Sequence, residues 1–236
     1  MLPSPDDGRI VFLIPWGDRV LVGTTDTDHV GDLDRPSATG ADIDYLLSVV
    51  NRNLPETYLT RRDVRSTYAG LRPLLLDGAD APSKVSREHQ IFESRSGLIT
   101  LTGGKLTTYR LMARQVVDRI SRVRSTTHTI DLFAARPIDA LSRRYGSEAK
   151  AIIDRAPLSG DHVWGEVDFA LEREMAITLS DLLCRRIRLA VFGEDRGRSV
   201  ALPVAERMAK RLGWDRQEIA RQVDEFNREL DSSYVV

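Results

Sequence analysis

Apolar residues alternate at the start of the chain and take up helical spacing further on. Arg9-Ile-Val-Phe-Leu-Ile-Pro-Trp16 and Arg19-Val-Leu-Val-Gly-Thr-Thr25 are β-branched and apolar, and Gly17-Asp18 between them is hairpin chemistry. The chain is therefore expected to open with an antiparallel pair. From Thr39 the period changes: Ile43, Leu46, Leu47, Val50 and Leu54 form one helical stripe. Thr39-Gly-Ala-Asp42 has the spacing of a capping box, and Pro55 ends the helix. Residues 85–93 and 98–102 return to strand composition around Ser94-Arg-Ser-Gly97, a second hairpin. Gly103-Gly104 then breaks the strand. A helix is expected to follow, with Tyr109, Met112, Ala113, Val116, Val117 and Ile120 three and four apart. Beyond the polar stretch 121–129 everything reads as helix, in segments 137–146, 147–156, 169–190, 199–213 and 215–230, the last striped by Ile219, Val223, Phe226 and Leu230. The expected fold class is α+β: a partial antiparallel sheet and a strand, glycine turn and helix, then an all-α C-terminal domain. The boundary is placed near Thr127, giving parts 1–126 and 127–236.

Composition narrows the class of partner more than it narrows the fold. The chain has 236 residues, 42% hydrophobic and 29% charged, with a net charge of −1, so no excess of positive charge advertises nucleic acid. Cys184 is the single cysteine, which excludes an internal disulfide and fits a reducing, cytoplasmic compartment. Ile10–Trp16, the longest charge-free apolar run, is far shorter than the ~20 residues of a membrane span. The histidines His29, His89, His128 and His162 stand in no metal spacing, and no metal is assigned. The run Asp26-Thr-Asp28-His-Val-Gly31-Asp32-Leu-Asp34 has Val30 and Ser37 where a calcium loop needs ligands, so it reads as a solvated turn.

Candidate chemistry concentrates in Leu101-Thr-Gly-Gly-Lys-Leu-Thr-Thr-Tyr-Arg110. Two glycines let the backbone approach a ligand where a helix begins, and a helix N-terminus favours negative charge. Here Lys105 and Arg110 flank that start and no acid appears before Asp118, so the turn suits an anion or an oxygen that becomes anionic. Only four of the 34 basic residues are lysines, which makes Lys105 stand out, although a glycine turn with a solvated lysine has the same pattern. Arg72 precedes Pro73, which biases it to an extended backbone, and with Arg87 it offers planar forks for phosphate or carboxylate. Among thirty arginines, structural ion pairs are the competing reading. His89 shares strand parity with Val85, Arg87 and Ile91, and a structural role is expected for it. Arg185-Arg-Ile-Arg188 has acids near it and no interleaved aromatics, as on a salt-bridged helix face.

Taken in order, Ile14-Pro-Trp16, Leu21-Val-Gly-Thr-Thr-Asp26, Ser66-Thr-Tyr-Ala-Gly-Leu-Arg-Pro73, Ser86-Arg-Glu-His89 and Gly103-Gly-Lys-Leu-Thr-Thr-Tyr-Arg110 resemble the FAD-dependent glycerol-3-phosphate dehydrogenases. Arg144-Tyr-Gly-Ser147, Glu174-Met-Ala-Ile-Thr-Leu-Ser-Asp181 and Arg185-Arg186 resemble that family's helical C-terminal domain. Members begin with a G-x-G-x-x-G turn that seats the ADP half of FAD, and no such spacing occurs here. The resemblance thus implies the C-terminal portion of such an enzyme, as a truncated frame, a gene fragment or one half of a split protein, inactive alone and without retained FAD. It implies a sheet belonging to the substrate domain and a strand-helix segment closing the flavin domain. It implies glycerol 3-phosphate as substrate, a quinone-type electron acceptor, a separate N-terminal half as a candidate partner, and a cytoplasmic location that admits peripheral membrane contact. Gly103, Gly104, Lys105, Leu106 and Thr107 correspond to the segment that meets the flavin ring, where Lys105 would stabilise charge gathered on hydride transfer. Arg72 and Arg87 correspond to arginines holding the substrate's phosphate and reacting oxygen, Arg72 with a catalytic share. Rival functions are a flavin oxidoreductase acting on amino acids and a non-catalytic helical interaction module or relic.

Overall fold

The computed structural model describes residues 1–72, 88–131 and 137–233. The chain folds as two compact units: residues 1–25, 31–70 and 135–236 in one, and 26–30 with 71–134 in the other.

In the first unit, β2 (Ile10–Trp16) and β3 (Arg19–Gly23) pair antiparallel with Trp16 opposite Arg19 and Ile14 opposite Leu21. Gly17 takes φ 62° in the turn, as the hairpin chemistry requires. A short β1 (Leu2–Pro3), absent from the sequence expectation, pairs with Ile10 and Val11. Helix α1 (Gly40–Asn53) begins at the expected capping box: Asp42 N–H donates to the Thr39 hydroxyl oxygen at 3.2 Å, and Thr39 N–H donates to the Asp42 carboxylate at 2.8 Å. Of its expected stripe Val50 is buried and Leu54 exposed, Val49 beside the stripe is buried as well, and β2 contributes the buried Val11, while Ile10, Phe12 and Ile14 on the other parity stay exposed.

The remainder of this unit is helical with one departure. It contains α3 (Ala140–Tyr145), a 3₁₀ turn Gly146–Ala151, α4 (Trp164–Arg173), a π-helical turn Asp181–Arg186, α5 (Leu189–Phe192), α6 (Arg198–Leu212) and α7 (Arg216–Ser233). The departure is a hairpin of β6 (Pro157–Ser159) and β7 (His162–Val163). It corrects the all-helical expectation for this region: Gly160 at φ 55° with Asp161 makes a two-residue turn, and strands this short show no period in sequence. The expected helix 147–156 is only the 3₁₀ turn, and the expected helix 169–190 is interrupted by left-handed Met175 (φ 56°) and Arg188 (φ 61°). The expected segments 199–213 and 215–230 appear as α6, closed by Gly213 at φ 73°, and α7.

The main core lies here. Leu179, Leu182, Leu183, Val204, Met208, Phe226 and Leu230 are fully buried together, and Cys184 joins them as a small apolar side chain. Trp16 stacks on Phe192 with ring centroids 4.7 Å apart, Arg188 lies over the Trp16 ring at 4.9 Å, and the Ser66 hydroxyl donates to the Ala190 carbonyl at 3.3 Å. The N-terminal hairpin is thereby fastened to the helices.

In the second unit, β4 (Gln90–Glu93) and β5 (Ile99–Thr102) form the second expected hairpin, with Phe92 opposite Thr100. A 3₁₀ turn Leu106–Thr108 then leads into α2 (Tyr109–Ile120), so the α-helix starts later than the glycine pair suggested. No described helix is long and apolar enough to cross a membrane.

Candidate functional site

The chain after β5 turns through two consecutive left-handed residues, Gly103 at φ 74° and Gly104 at φ 89°. A Cβ on Gly104 would meet Met112 Sδ at 2.6 Å and His89 Cβ at 3.1 Å, so this turn is closed from its protein side by α2 and the start of β4. His89 precedes β4 and its ring bonds the Gln115 side chain on α2, which is the structural role expected of it. Lys105 N–H donates to the Thr108 hydroxyl oxygen at 3.4 Å and the hydroxyl donates back to the Lys105 carbonyl at 3.0 Å, locking the entry to α2. Leu106 and Thr107 lie exposed on the following turn, and α2 has no acid in its first turn. The first amides of such a turn have no partner inside the helix.

Two cations expected at this entry behave differently. Lys105 reaches Glu88 at 3.7 Å, a loose and exposed pair that leaves its ammonium near water. Arg110 does not point at a ligand: its Nε donates to the Thr127 hydroxyl oxygen at 3.1 Å and its Nη2 to the Ile130 carbonyl. This corrects the sequence reading, because a charge that satisfies the carbonyl of the 127–130 turn is spent on holding that turn. Asp118, receiving Ser125 N–H at 2.6 Å, closes the same loop.

Arg72 forms an ion pair with Asp26, Nη1 to Oδ2 at 2.5 Å. Arg87 and Pro73, singled out with it, lie outside the described residues. The reading of 26–34 as a solvated turn is corrected at Asp26, whose side chain is only 14% exposed, while Asp28, Asp32 and Asp34 are exposed. Asp26 stands three residues beyond the end of β3, and no local pattern in the sequence marks it off from the other aspartates of the run. The arrangement offers a glycine turn bearing a lysine, and separately an arginine whose fork is held by an acid.

Two other clusters are built for stability. Glu166 is fully buried, yet it accepts Val163 N–H at 2.8 Å and Arg144 Nε at 3.0 Å, and His162 Nδ1 lies 3.2 Å away. Burial pushes this carboxyl up, but the His162 ring, the Val163 amide and the Arg144 charge outweigh it and hold Glu166 below the ordinary range. Burial, and then the neighbouring Glu166 charge, raise the Tyr145 phenol. A groove of about 500 Å³ between α4 and α6 is lined by Trp164, Asp168, Glu172 and Arg207. Arg207 is committed to Asp168 at 2.5 Å and Asp154 at 2.9 Å, and Arg211 to Glu172 at 2.9 Å, so the groove is a salt-bridged seam. Arg185 is likewise taken up by Glu229 at 2.9 Å and Asp181 at 3.8 Å.

Comparison with known proteins adds an independent line. Residues 1–119 match the family described as FAD dependent oxidoreductase, and residues 94–219 match the C-terminal domain of alpha-glycerophosphate oxidase. A glycerol-3-phosphate dehydrogenase of Mycobacterium leprae is 35% identical over 94% of this chain and 44% of its own length. The aerobic glycerol-3-phosphate dehydrogenase of Bacillus subtilis is 31% identical over 97% of this chain and 49% of its own. The X-ray structure of the glycerol-3-phosphate dehydrogenase from Bacillus halodurans complexed with FAD superposes with a TM-score of 0.74 at 26% identity, covering 98% of this chain and 52% of that one. The chain thus spans about half the length of the curated relatives it matches.

Proposed function

Because the chain belongs to the FAD dependent oxidoreductases that carry the C-terminal domain of alpha-glycerophosphate oxidase, we propose that it supplies the substrate-side and helical parts of an FAD-dependent glycerol-3-phosphate dehydrogenase. The reaction is oxidation of glycerol 3-phosphate to dihydroxyacetone phosphate. Residues 1–126 are the catalytic part and 127–236 the helical domain. The observation that carries the reading is the Gly103–Gly104 turn delivering Lys105 to the entry of α2.

The residues fit the flavin. Two left-handed glycines free the backbone for close approach, Leu106 and Thr107 are exposed on the turn that opens the helix, where the first amides have no partner within the helix itself, and Lys105 stands beside them with no acid in the first helical turn. FAD, when bound, accepts the hydride from C2 of the substrate. The chain's own share is electrostatic: the amides and Lys105 form a positive seat for the edge of the ring system that becomes more negative. Arg72 holds the phosphate or reacting oxygen bidentately, with Arg87 as its companion. These 236 residues hold no G-x-G-x-x-G turn, so the donors for the pyrophosphate come from a dinucleotide-binding half in the same or a separate polypeptide. Electrons pass on to a quinone-type acceptor, reached from a peripheral seat on the cytoplasmic face of the membrane.

The test replaces the matched stretch of the Mycobacterium leprae relative with this chain, loads FAD and follows flavin absorbance. Glycerol 3-phosphate should bleach the flavin and glycerol should not. Lys105→Met should slow reduction and lower the flavin potential with substrate affinity less affected. Arg72→Lys should weaken substrate binding roughly ten- to a hundredfold with the potential barely moved. Retained FAD that glycerol 3-phosphate does not reduce overturns the proposal in favour of an oxidoreductase for another substrate. A helical interaction module is the other rival, and the concentration of buried core in the helical region speaks for it. Loss of FAD from the chimera would support that reading.

A further inference from the structure

We infer that Asp26 is the positioning residue for Arg72: its largely buried carboxylate holds the guanidinium in the orientation that takes a phosphomonoester. The inference rests on the reading of Arg72 as a phosphate-binding arginine given above. It adds a residue that motif-by-motif reading of the sequence assigns to a solvated turn.

Three observations carry it. The two charges are in direct contact, Nη1 to Oδ2 at 2.5 Å, and a hydrogen bond between ionised partners is about twice as strong as a neutral one. The two partners are unequally buried, Asp26 at 14% and Arg72 at 38% side-chain exposure, so the acid is the anchor and the guanidinium the presented group. Among the aspartates of the 26–34 run, Asp28, Asp32 and Asp34 are exposed, and Asp26 is set apart from them by this contact.

Physical chemistry gives such a pair a definite use. A guanidinium carries five donors on a planar fork, more than one carboxylate engages. An arginine side chain also has several torsions to freeze before it can bind anything. Freezing them in advance on an internal carboxylate lowers the cost of a bidentate contact with phosphate. The acid cancels the arginine's net charge, so the pair contributes geometry while long-range attraction must come from other cations. This makes the sign of one substitution decisive. If Asp26 only neutralises Arg72, removing its charge strengthens anion binding. If Asp26 aims Arg72, removing the charge weakens binding even though the site becomes more positive.

The experiment uses the full 236-residue chain labelled with ¹⁵N, following the arginine side-chain signals by NMR while glycerol 3-phosphate, and separately inorganic phosphate, are titrated in. Asp26→Asn keeps the shape of the side chain, Asp26→Glu keeps its charge, and Arg72→Lys is the control; thermal unfolding of each establishes that the fold persists. In the wild type the Arg72 guanidinium should show hindered rotation, lost in Asp26→Asn and partly restored in Asp26→Glu. Binding of glycerol 3-phosphate should weaken about tenfold in Asp26→Asn and in Arg72→Lys, with part of the loss recovered in Asp26→Glu. A freely rotating Arg72 in the wild type overturns the inference. So does an Asp26→Asn chain that binds as tightly as wild type, or more tightly, when Arg72→Lys is weakened; the phosphate role of Arg72 then stands without Asp26. If Arg72 is held by Asp26 but Arg72→Lys binds normally, the phosphate role itself fails. Absence of any titration in the wild type overturns both.

Discussion

Gly104 carries two demands at once, a φ of 89° and a Met112 sulfur where its Cβ would stand. Gly17 carries only the first, with φ 62° and open space around it. Gly104→Ala should therefore cost about 1–3 kcal/mol in urea unfolding, clearly more than Gly17→Ala, because strain adds to a contact that must give way. An equal loss at both positions would mean that Met112 moves aside freely. Glu166 supplies a prediction in pH. Its folded carboxyl sits below the ordinary value of 4.5, so its contribution to stability is complete above that value and is lost as pH falls through the depressed folded value. Unfolding followed from about pH 6 down to about pH 3 should show a steeper acid loss in the wild type than in Glu166→Gln. Parallel curves would show that His162 and Arg144 do not stabilise the carboxylate. At this scale the sequence singled out Gly103, Gly104 and Lys105 and missed Asp26, since nothing local in Asp26-Thr-Asp28 tells a paired acid from a solvated one.

Elements whose ends carry their own chemistry were legible residue by residue. The box at Thr39 and Asp42 starts α1 where the sequence places it, with Leu54 as its C-cap before Pro55. Thr39→Ala should lower stability by about 1 kcal/mol, with amide exchange rising first in the opening turn of α1; unchanged exchange there would show that the cap is not limiting. The hairpins at Gly17-Asp18 and Ser94–Gly97 were equally plain. The interruptions between α4 and α5 were not. Met175 and Arg188 adopt left-handed backbone without being glycine, and Ala176 N–H reaches back to the Ala170 carbonyl at 3.1 Å while Arg188 settles over Trp16. Packing imposes these breaks on residues that favour helix, so propensity reads through them.

At the scale of the whole molecule, the apolar surface left open is informative. In one unit Ile10, Phe12 and Ile14 on β2 are 45–47% exposed; in the other, Tyr109 is 51% and Ile120 67% exposed on α2. Soluble domains rarely leave such rows uncovered, and the solved relative holds this fold in a chain about twice as long. Lacking a G-x-G-x-x-G turn, the 236-residue chain alone should retain no FAD: after expression and gel filtration its absorbance between about 350 and about 500 nm, where bound flavin absorbs, should be flat. Stoichiometric flavin would mean that the pyrophosphate finds its donors within these residues after all.

Ordered motifs by themselves determined the family, the succession from sheet to helices, and the glycine-lysine turn as the place to look, because each depends on short-range spacing that survives in one dimension. Only the tertiary structure decided which charges are committed and to what. Arg110 turned inward to the Ile130 carbonyl, Lys105 remained loosely paired, and Asp26 met Arg72 from the far side of a long stretch of chain. The reason is that an ion pair is a statement about distance through space and about burial. A carboxylate a few residues from a strand looks the same in sequence whether water or a guanidinium satisfies it.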